Sequence, residues 1–230
     1  MRVTTAERKK IGRYDAHCAP VEVGDCTIAL WQVDDLEAHV DRAALLAGDD
    51  PAEPPYWAHL WSGARVLAEA VPAAAGRVVE IGCGLGLPGL VAAARGARVV
   101  LLDRDAAALA FVGESLRANG LAAAWPVRAD FTRPPFGPTF DLVLAAEVVY
   151  DRAGFSALAA ALAALAGPQG RILLTDGHRI DTRDFYPALE RAGLVWRRRA
   201  VPVDEEGVRV EIDLVEARCA QASPYLRSLR

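Results

Sequence analysis

Lysine is nearly missing from this sequence. Of the 26 basic residues, only Lys9 and Lys10 are lysines, and all the others are arginines. Acidic residues outnumber basic ones, with 30 against 26, and the formal net charge at pH 7 is −4. A general binder of nucleic acid or of anionic membranes carries the opposite balance of charge. We therefore expect neither a nucleic-acid partner nor a membrane partner.

Cysteine and long apolar runs are also scarce. The four cysteines form no CxxC pair, and although His17, Cys18 and Cys26 lie close together, no second pair of metal ligands follows them. The N-terminal stretch has no apolar segment of the signal-peptide type. Arg or Asp interrupts every apolar run before it reaches the ~20 residues of a membrane helix. These absences predict a soluble, cytoplasmic protein without a metal site, and we favour a monomer.

The residues that are present predict one α/β domain with a short leader. Hydrophobic residues make up 53% of the 230 residues, which is enough for a buried core. The predicted leader covers residues 1–55 and packs on the core; it contains a β-hairpin with a turn at Gly24 and Asp25, then a helix at residues 35–46. The main domain is predicted at residues 56–218, and a tail at residues 219–230.

From residue 77 onward, apolar strand patterns alternate with helical ones. Strands are predicted at residues 77–81, 98–102, 127–129, 140–146, 171–175, 195–203 and 208–217. Helices are predicted at residues 88–95, 105–119, 153–166 and 184–192. The fold class is therefore α/β, with a Rossmann-like, doubly wound, mostly parallel seven-stranded sheet that ends in an antiparallel hairpin. Such a sheet binds its ligand beyond the carboxyl ends of its strands.

A glycine cluster follows the first strand of this sheet. Gly82, Gly84 and Gly86 have the spacing GxGxG, whereas the dinucleotide fingerprint is GxGxxG. Glu80 precedes the cluster, where it would repel a pyrophosphate but attract a ligand that carries an ammonium group. Asp103 ends the next strand and can accept hydrogen bonds from both hydroxyls of a ribose. An ammonium group together with a ribose favours S-adenosyl-L-methionine over NAD as the ligand.

Two residues after the third strand of the sheet complete the predicted cofactor site. Asp130 can accept a hydrogen bond from the adenine amino group, and the Phe131 ring can stack on the adenine.

Three segments resemble the class I, seven-β-strand methyltransferases. They are residues 54–61 (PPYWAHLW), 80–89 (EIGCGLGLPG) and 141–150 (DLVLAAEVVY). The resemblance covers residues 26–217. Within this class, the chain is most similar to methyltransferase family 16, which contains protein-lysine methyltransferases and nicotinamide N-methylase-like bacterial relatives. The chain departs from the family pattern at Phe131, where Trp is more frequent, at Glu147, where Asp is commoner, and at residues 175–179 (TDGHR).

The resemblance implies further site residues. It places Trp61 and Ala146 beside the cofactor, with S-adenosyl-L-homocysteine as the product, and it places Glu147 and Tyr150 at the mouth of the pocket. A lysine acceptor is almost entirely protonated at neutral pH and must lose its proton before it accepts a methyl group. Glu147 can hold the incoming ammonium, and the Tyr150 hydroxyl can orient the free amine. We interpret both as catalytic residues acting on a protein substrate that bears a lysine.

Other functions remain compatible with the same residues. The acceptor can instead be a small amine or a pyridine such as nicotinamide, although a pyridine nitrogen is unprotonated at neutral pH and needs no carboxylate. A non-catalytic regulator that binds S-adenosylmethionine is a third interpretation, and an NAD-dependent dehydrogenase fits the glycine spacing poorly. His178 and Arg179 follow a predicted strand at its carboxyl end, where contact with a substrate is one interpretation.

Overall fold

Two β-sheets organise the chain, which is described here from a computed structural model over residues 7–40, 54–205 and 207–220. The first is antiparallel and contains β1 (Arg8–Ile11), β2 (Tyr14–Val23) and β3 (Cys26–Val33), in that order. The turn between β2 and β3 consists of Gly24 and Asp25, as the sequence predicts. Strand β1 was not predicted, because its four residues are mostly charged and show no apolar alternation.

The helix predicted at residues 35–46 is wrong over the part that the structure describes. A 3₁₀ helix at Glu37–His39 takes its place, and Val40 is already extended. The Asp35 carboxylate accepts a hydrogen bond from the Ala38 N–H at the start of this 3₁₀ helix. Residues 41–46 lie outside the described residues.

The second sheet has seven strands. They are β4 (Arg77–Ile81), β5 (Arg98–Asp103), β6 (Ala124–Arg128), β7 (Phe140–Ala146), β8 (Ala166–Asp176), β9 (Leu194–Glu205) and β10 (Val208–Cys219). Their order in the sheet is β6-β5-β4-β7-β8-β10-β9. Strands β4 to β8 are parallel, and β10 is antiparallel to both β8 and β9. The predicted sheet with its antiparallel hairpin is therefore confirmed.

Five α-helices of the described ranges cover the two faces of this sheet. They are α1 (Ser62–Ala70), α2 (Leu87–Ala94), α3 (Ala106–Ala118), α4 (Phe155–Leu165) and α5 (Phe185–Arg191). Buried residues of α1, α2 and α3 form one core, and those of α4 and α5 form the other. The Asp105 carboxylate caps α3 by accepting from the Ala107 N–H at 2.7 Å. Within the described ranges, no helix is long and apolar enough to cross a membrane.

The first sheet shares its buried core with α2 and α3. The side chain of Asn119, just after α3, donates to the Ala29 carbonyl and accepts from the Ala29 N–H, while the Ser115 hydroxyl accepts from the Trp31 N–H. These bonds fix β3 against α3, and the Trp31 side chain is almost completely buried beside them. The domain boundaries at residues 55 and 218 stay predictions.

Candidate active site

A cavity of about 420 Å³ opens beyond the carboxyl ends of β4, β5 and β7. Because these strands are parallel neighbours, the residues that follow them converge on one edge of the sheet. Of the eleven site residues that the sequence predicts, nine line the cavity: Trp61, Gly82, Gly84, Gly86, Asp103, Phe131, Ala146, Glu147 and Tyr150. Glu80 and Asp130 do not. The volume lies within the usual range for sites that bind small molecules and cofactors.

The glycine loop after β4 forms the floor of this cavity. All three predicted glycines have positive φ, between 52° and 75°. A Cβ on Gly84 would lie 2.9 Å from the Trp57 carbonyl oxygen, so the loop packs directly against the backbone of the 3₁₀ helix Tyr56–Ala58. A side chain at Gly84 would therefore clash with this backbone, and the positive φ also favours glycine there.

Asp103 stands at the end of β5 with its carboxylate held in place. One oxygen accepts from the Gly84 N–H at 2.8 Å, and the other accepts from the Asp105 N–H at 2.9 Å. Burial raises the pKa of this carboxyl, while the two N–H groups act in the opposite direction. Each oxygen keeps a further lone pair, so the oriented carboxylate can accept hydrogen bonds from a diol at the cavity wall.

The Glu80 side chain does not line the cavity. Its side chain is buried beneath the loop, and one oxygen accepts from the Gly89 N–H in the first turn of α2 at 2.7 Å. Burial raises the pKa of Glu80 to about 8, the Gly89 N–H opposes this, and the nearby Asp103 adds to it. In this geometry Glu80 fixes the glycine loop to α2, and contact with a ligand ammonium stays a prediction.

Of the two residues predicted to bind adenine after β6, Asp130 is exposed to solvent and Phe131 lines the cavity. Asp130 is exposed, and its Oδ1 accepts from both the backbone N–H and the hydroxyl of Thr132 at 2.8 Å. These two bonds lower the pKa of Asp130. Phe131 lines the cavity, and its ring lies 3.7 Å from where a Cβ on Gly82 would be. Phe131 can therefore offer a ring face to a ligand, whereas the Asp130 carboxylate is engaged in its own turn.

Glu147 follows the last residue of β7 and has a φ of 54°, a backbone conformation that non-glycine residues rarely adopt. Only 6% of its side chain is exposed. A Cβ on Gly63 would lie 2.2 Å from Glu147 Oε1, and one on Gly177 would lie 2.6 Å from the same oxygen. Two glycines that are distant in sequence thus make the space that this carboxylate fills.

The Glu147 carboxylate is incompletely paired. Oε2 accepts from the Gly177 N–H at 3.2 Å and lies 3.9 Å from the Arg179 guanidinium. Oε1 is buried and makes no hydrogen bond of normal geometry to any described residue. Burial raises the pKa of Glu147, while Arg179 and the backbone N–H groups of Gly177 and Gly63 oppose that shift. An unpaired buried oxygen is unfavourable, so a donor or a cation that reaches Oε1 would be bound favourably.

The cavity mouth is aromatic. Tyr56 is 52% exposed and Tyr150 is 47% exposed, and both line the opening. The Trp61 indole N–H donates to the Tyr56 carbonyl at 3.1 Å, which orients the Trp61 ring. Trp61 also stands at the N-cap of α1, where its side chain makes no capping hydrogen bond.

Several residues at the site escaped the sequence analysis. Gly63, Gly177 and Glu205 were not predicted, because each meets its partner only through long-range packing. Trp57 lines the cavity with a buried indole N–H that has no partner among the described residues. No signal in the sequence distinguishes it from an ordinary core tryptophan. Among the residues of the three described ranges, no group of three or more His, Cys, Asp or Glu could hold a metal ion.

Comparison with known proteins adds a family and a set of similar folds. The profile of a family described as lysine methyltransferase matches residues 58–191. EEF1A lysine methyltransferase 3 of Mus musculus is 32% identical over 109 residues, which are 46% of this chain and 47% of that protein. The matched stretch therefore spans about half the length of this relative.

Two solved structures show the same fold. A TehB-like SAM-dependent methyltransferase from Corynebacterium glutamicum superposes with a TM-score of 0.56 at 20% identity, over 80% of this chain and 97% of that one. The glycopeptide N-methyltransferase MtfA in complex with S-adenosyl-L-methionine superposes with a TM-score of 0.55 at 18% identity, over 68% of this chain and 87% of that one.

Proposed function

The chain belongs to the lysine methyltransferase family, with the fold of S-adenosylmethionine-dependent methyltransferases, and from this premise we propose that it methylates a lysine side chain of a protein substrate. The observation that carries the proposal is the buried Glu147 carboxylate. It lies beside the cavity at the end of β7, with one oxygen unpaired and two glycines shaping its space. This arrangement can attract a cationic amine to the inner part of the cavity.

The residues around the cavity fit S-adenosylmethionine. The bound cofactor supplies a methyl group that is already activated on a sulfonium. The oriented Asp103 carboxylate can accept from the ribose hydroxyls, the glycine loop lets the backbone approach closely, and Phe131 can stack on the adenine. Catalysis at such a site is mainly the alignment of amine, methyl carbon and sulfur.

The lysine acceptor reaches the site as an ammonium, but it must be a neutral amine when it reacts. A lysine with a pKa near 10.4 requires on the order of 4 kcal/mol to lose its proton at neutral pH. Glu147 attracts the ammonium, and the Tyr150 hydroxyl at the mouth can orient the free amine. The cofactor, when bound, would supply its methyl group to this free amine, after the proton of the ammonium has passed to solvent. The products are S-adenosylhomocysteine and a methylated ammonium, which releases a proton when it returns to the free amine.

The exposed tyrosines at the mouth support a protein substrate. Tyr56 and Tyr150 are both about half exposed at the rim, where they can contact the polypeptide on either side of a lysine. A nicotinamide-like acceptor would need neither these rings nor a carboxylate, and it is the alternative that the experiment must separate.

The test is methyl transfer from tritiated S-adenosylmethionine into a size-fractionated lysate of the source organism. We expect label in a protein band, with loss of about 100-fold or more in Glu147→Gln, which keeps the shape but removes the charge. Because Lys9 and Lys10 are the only lysines of the chain, the variant with both changed to arginine eliminates self-labelling on lysine and is the matched control. Label only in small molecules would favour the alternative acceptor. No label, with normal cofactor binding, would favour a non-catalytic regulator.

A further inference from the structure

Arg179 places a cation at the acceptor end of the cavity. It belongs to the loop after β8, and its side chain is 38% exposed. The guanidinium lies 3.0 Å from Glu205 Oε1 and 3.9 Å from Glu147 Oε2. Its central carbon also stands 4.8 Å from the centroid of the Trp61 ring, within the range of a cation–π contact. Two acidic side chains and an indole thus hold one guanidinium beside Glu147.

The loop that carries Arg179 is anchored from below. His178 has a φ of 54°, and its backbone N–H donates to Asp176 Oδ1 at 2.9 Å. Its ring nitrogen Nε2 lies 3.2 Å from Asp213 Oδ2 on β10. Backbone strain of this kind persists only where the surroundings impose it. The position of Arg179 over the cavity is therefore determined by the fold and not only by its own contacts.

A carboxylate alone would be a poor partner for a methyl acceptor. A buried negative charge stabilises the ammonium form of a nearby amine, and the ammonium has no lone pair with which to attack the methyl group. A fixed positive charge next to the same carboxylate opposes this stabilisation. The geometry of Glu147 and Arg179 supplies both charges within one salt-bridge distance.

We propose that Arg179 is a charge-tuning residue of the acceptor site, where its guanidinium disfavours the ammonium form of an amine beside Glu147 and so favours the neutral amine that accepts the methyl group. The inference rests on the proposed function, since it concerns the amine acceptor of the same site. Arg179 acts through the field at the amine and is not itself a catalytic residue.

Several other titratable groups face this site and set its background charge. Glu205 on β9 and Asp176 at the end of β8 add negative charge, and Asp176 raises the pKa of Glu147. The Ser62 hydroxyl lowers the pKa of Glu205, and Arg179 and His59 act in the same direction, while Tyr150 stands at the mouth. Arg179 is the permanent cation among the lining residues that contacts Glu147.

The experiment compares two cofactor analogues that differ at the reacting position. S-adenosylhomocysteine has a neutral thioether there, whereas sinefungin carries a primary amine on carbon in place of the methyl sulfonium. The ratio of their dissociation constants is measured by calorimetry from pH 6.5 to 9.5. This ratio reports how strongly the site favours or disfavours an ammonium at the reacting position. No acceptor protein is required.

Opposite changes are expected in two variants. Arg179→Gln removes the opposing cation and should tighten sinefungin relative to S-adenosylhomocysteine by about fivefold or more near neutral pH. The effect should fade as the analogue's amine loses its proton at high pH. Glu205→Gln releases the guanidinium towards Glu147 and should weaken sinefungin relative to S-adenosylhomocysteine. Arg179→Lys keeps the charge and should change the ratio less than Arg179→Gln does.

A role for Arg179 that is merely structural leaves this ratio at its wild-type value in Arg179→Gln, and that result overturns the inference alone. Failure of the wild-type protein to bind S-adenosylhomocysteine overturns the proposed function, and the inference falls with it. Melting temperatures of all variants accompany the titrations. If Arg179→Gln does not fold, the double variant Arg179→Gln/Glu205→Gln is compared with Glu205→Gln: tighter sinefungin in the double variant supports the inference, and an unchanged ratio contradicts it.

Discussion

Substitution of Gly63 by alanine tests the packing around Glu147. Gly63 is buried in the first turn of α1, and an added Cβ would lie 2.2 Å from Glu147 Oε1 and 2.8 Å from its Cδ and Cγ. Rotation of the carboxylate gives little relief, because the Gly177 N–H lies 3.2 Å from Glu147 Oε2 on the other side and only 6% of the side chain is exposed. Glu147 must therefore move from its position beside the cavity.

The expected magnitude follows from this overlap. Overpacking of a well-packed site costs roughly 1–3 kcal/mol, and each kcal/mol lowers the melting temperature of a domain this size by about 2–4 °C. Gly113→Ala in α3 is the matched control, since its Cβ would meet only the Arg117 guanidinium, at 3.9 Å. There the higher helix propensity of alanine should stabilise the protein by up to about 1 kcal/mol.

Three measurements together decide the outcome. Thermal unfolding should separate the two variants in opposite directions, and calorimetry should show near-normal binding of S-adenosylmethionine in both. Methyl transfer should fall by about 100-fold in Gly63→Ala, as for a misplaced acid–base group, and stay normal in Gly113→Ala. The double variant Gly63→Ala/Glu147→Ala should regain much of the lost stability, because the overlap is gone. A Gly63→Ala protein as stable and active as the wild type would refute the conclusion that Gly63 makes the space for the Glu147 carboxylate.

Three further perturbations test other parts of the structure. Asp103→Ala should weaken S-adenosylmethionine by about 1.5–3 kcal/mol in calorimetry, the range for hydrogen bonds to a charged group, and unchanged affinity would mean that the ribose binds elsewhere. Glu80 has a folded pKa of about 8, above its unfolded value of 4.5, so its contribution to stability is full below pH 4.5 and is lost as the pH rises to 8. The melting temperature of the wild type should therefore fall between pH 4.5 and 8, and Glu80→Gln should reduce this fall. A dependence of melting temperature on pH identical to that of the wild type would contradict the burial argument. Asn119→Ala removes both bonds to Ala29 and should lower the melting temperature by roughly 4–8 °C, about 2 kcal/mol; a shift below about 1 °C would show that β3 does not depend on them.

Local pattern accounts for most of the large sheet. Apolar runs bounded by glycine and acidic turns located all seven strands, and the predicted bounds of β7 agree with those observed. Two strands start several residues earlier than predicted. Strand β6 contains Pro126, which an edge strand tolerates, and the first part of β8 contains Gly167, Pro168 and Gly170, which interrupt the apolar pattern. The sequence could not reveal these extensions, because neighbouring strands impose them.

The site was predictable where one short segment contains the whole feature. The glycine loop and Asp103 follow from strand ends and spacing alone. The directions of the Glu80 and Asp130 carboxylates do not, because each depends on an N–H that the folded backbone presents to it. The space for Glu147 is set by Gly63, 84 positions earlier, and by Gly177, 30 positions later, as the residue numbers show. Contacts of that range leave no local trace in the sequence.

The strand order at one end of the large sheet has a consequence for biosynthesis. Strand β10 lies between β8 and β9, and among the strands that the structure describes β9 pairs only with β10. The ribosome makes β9 first, so a nascent chain that ends before residue 208 leaves β8 with an unpaired edge and β9 without a partner. Unpaired edges recruit other strands and promote aggregation. The large sheet can therefore form completely only after β10 has emerged. The contact between Asp213 and the loop after β8, which carries Arg179, also forms only then.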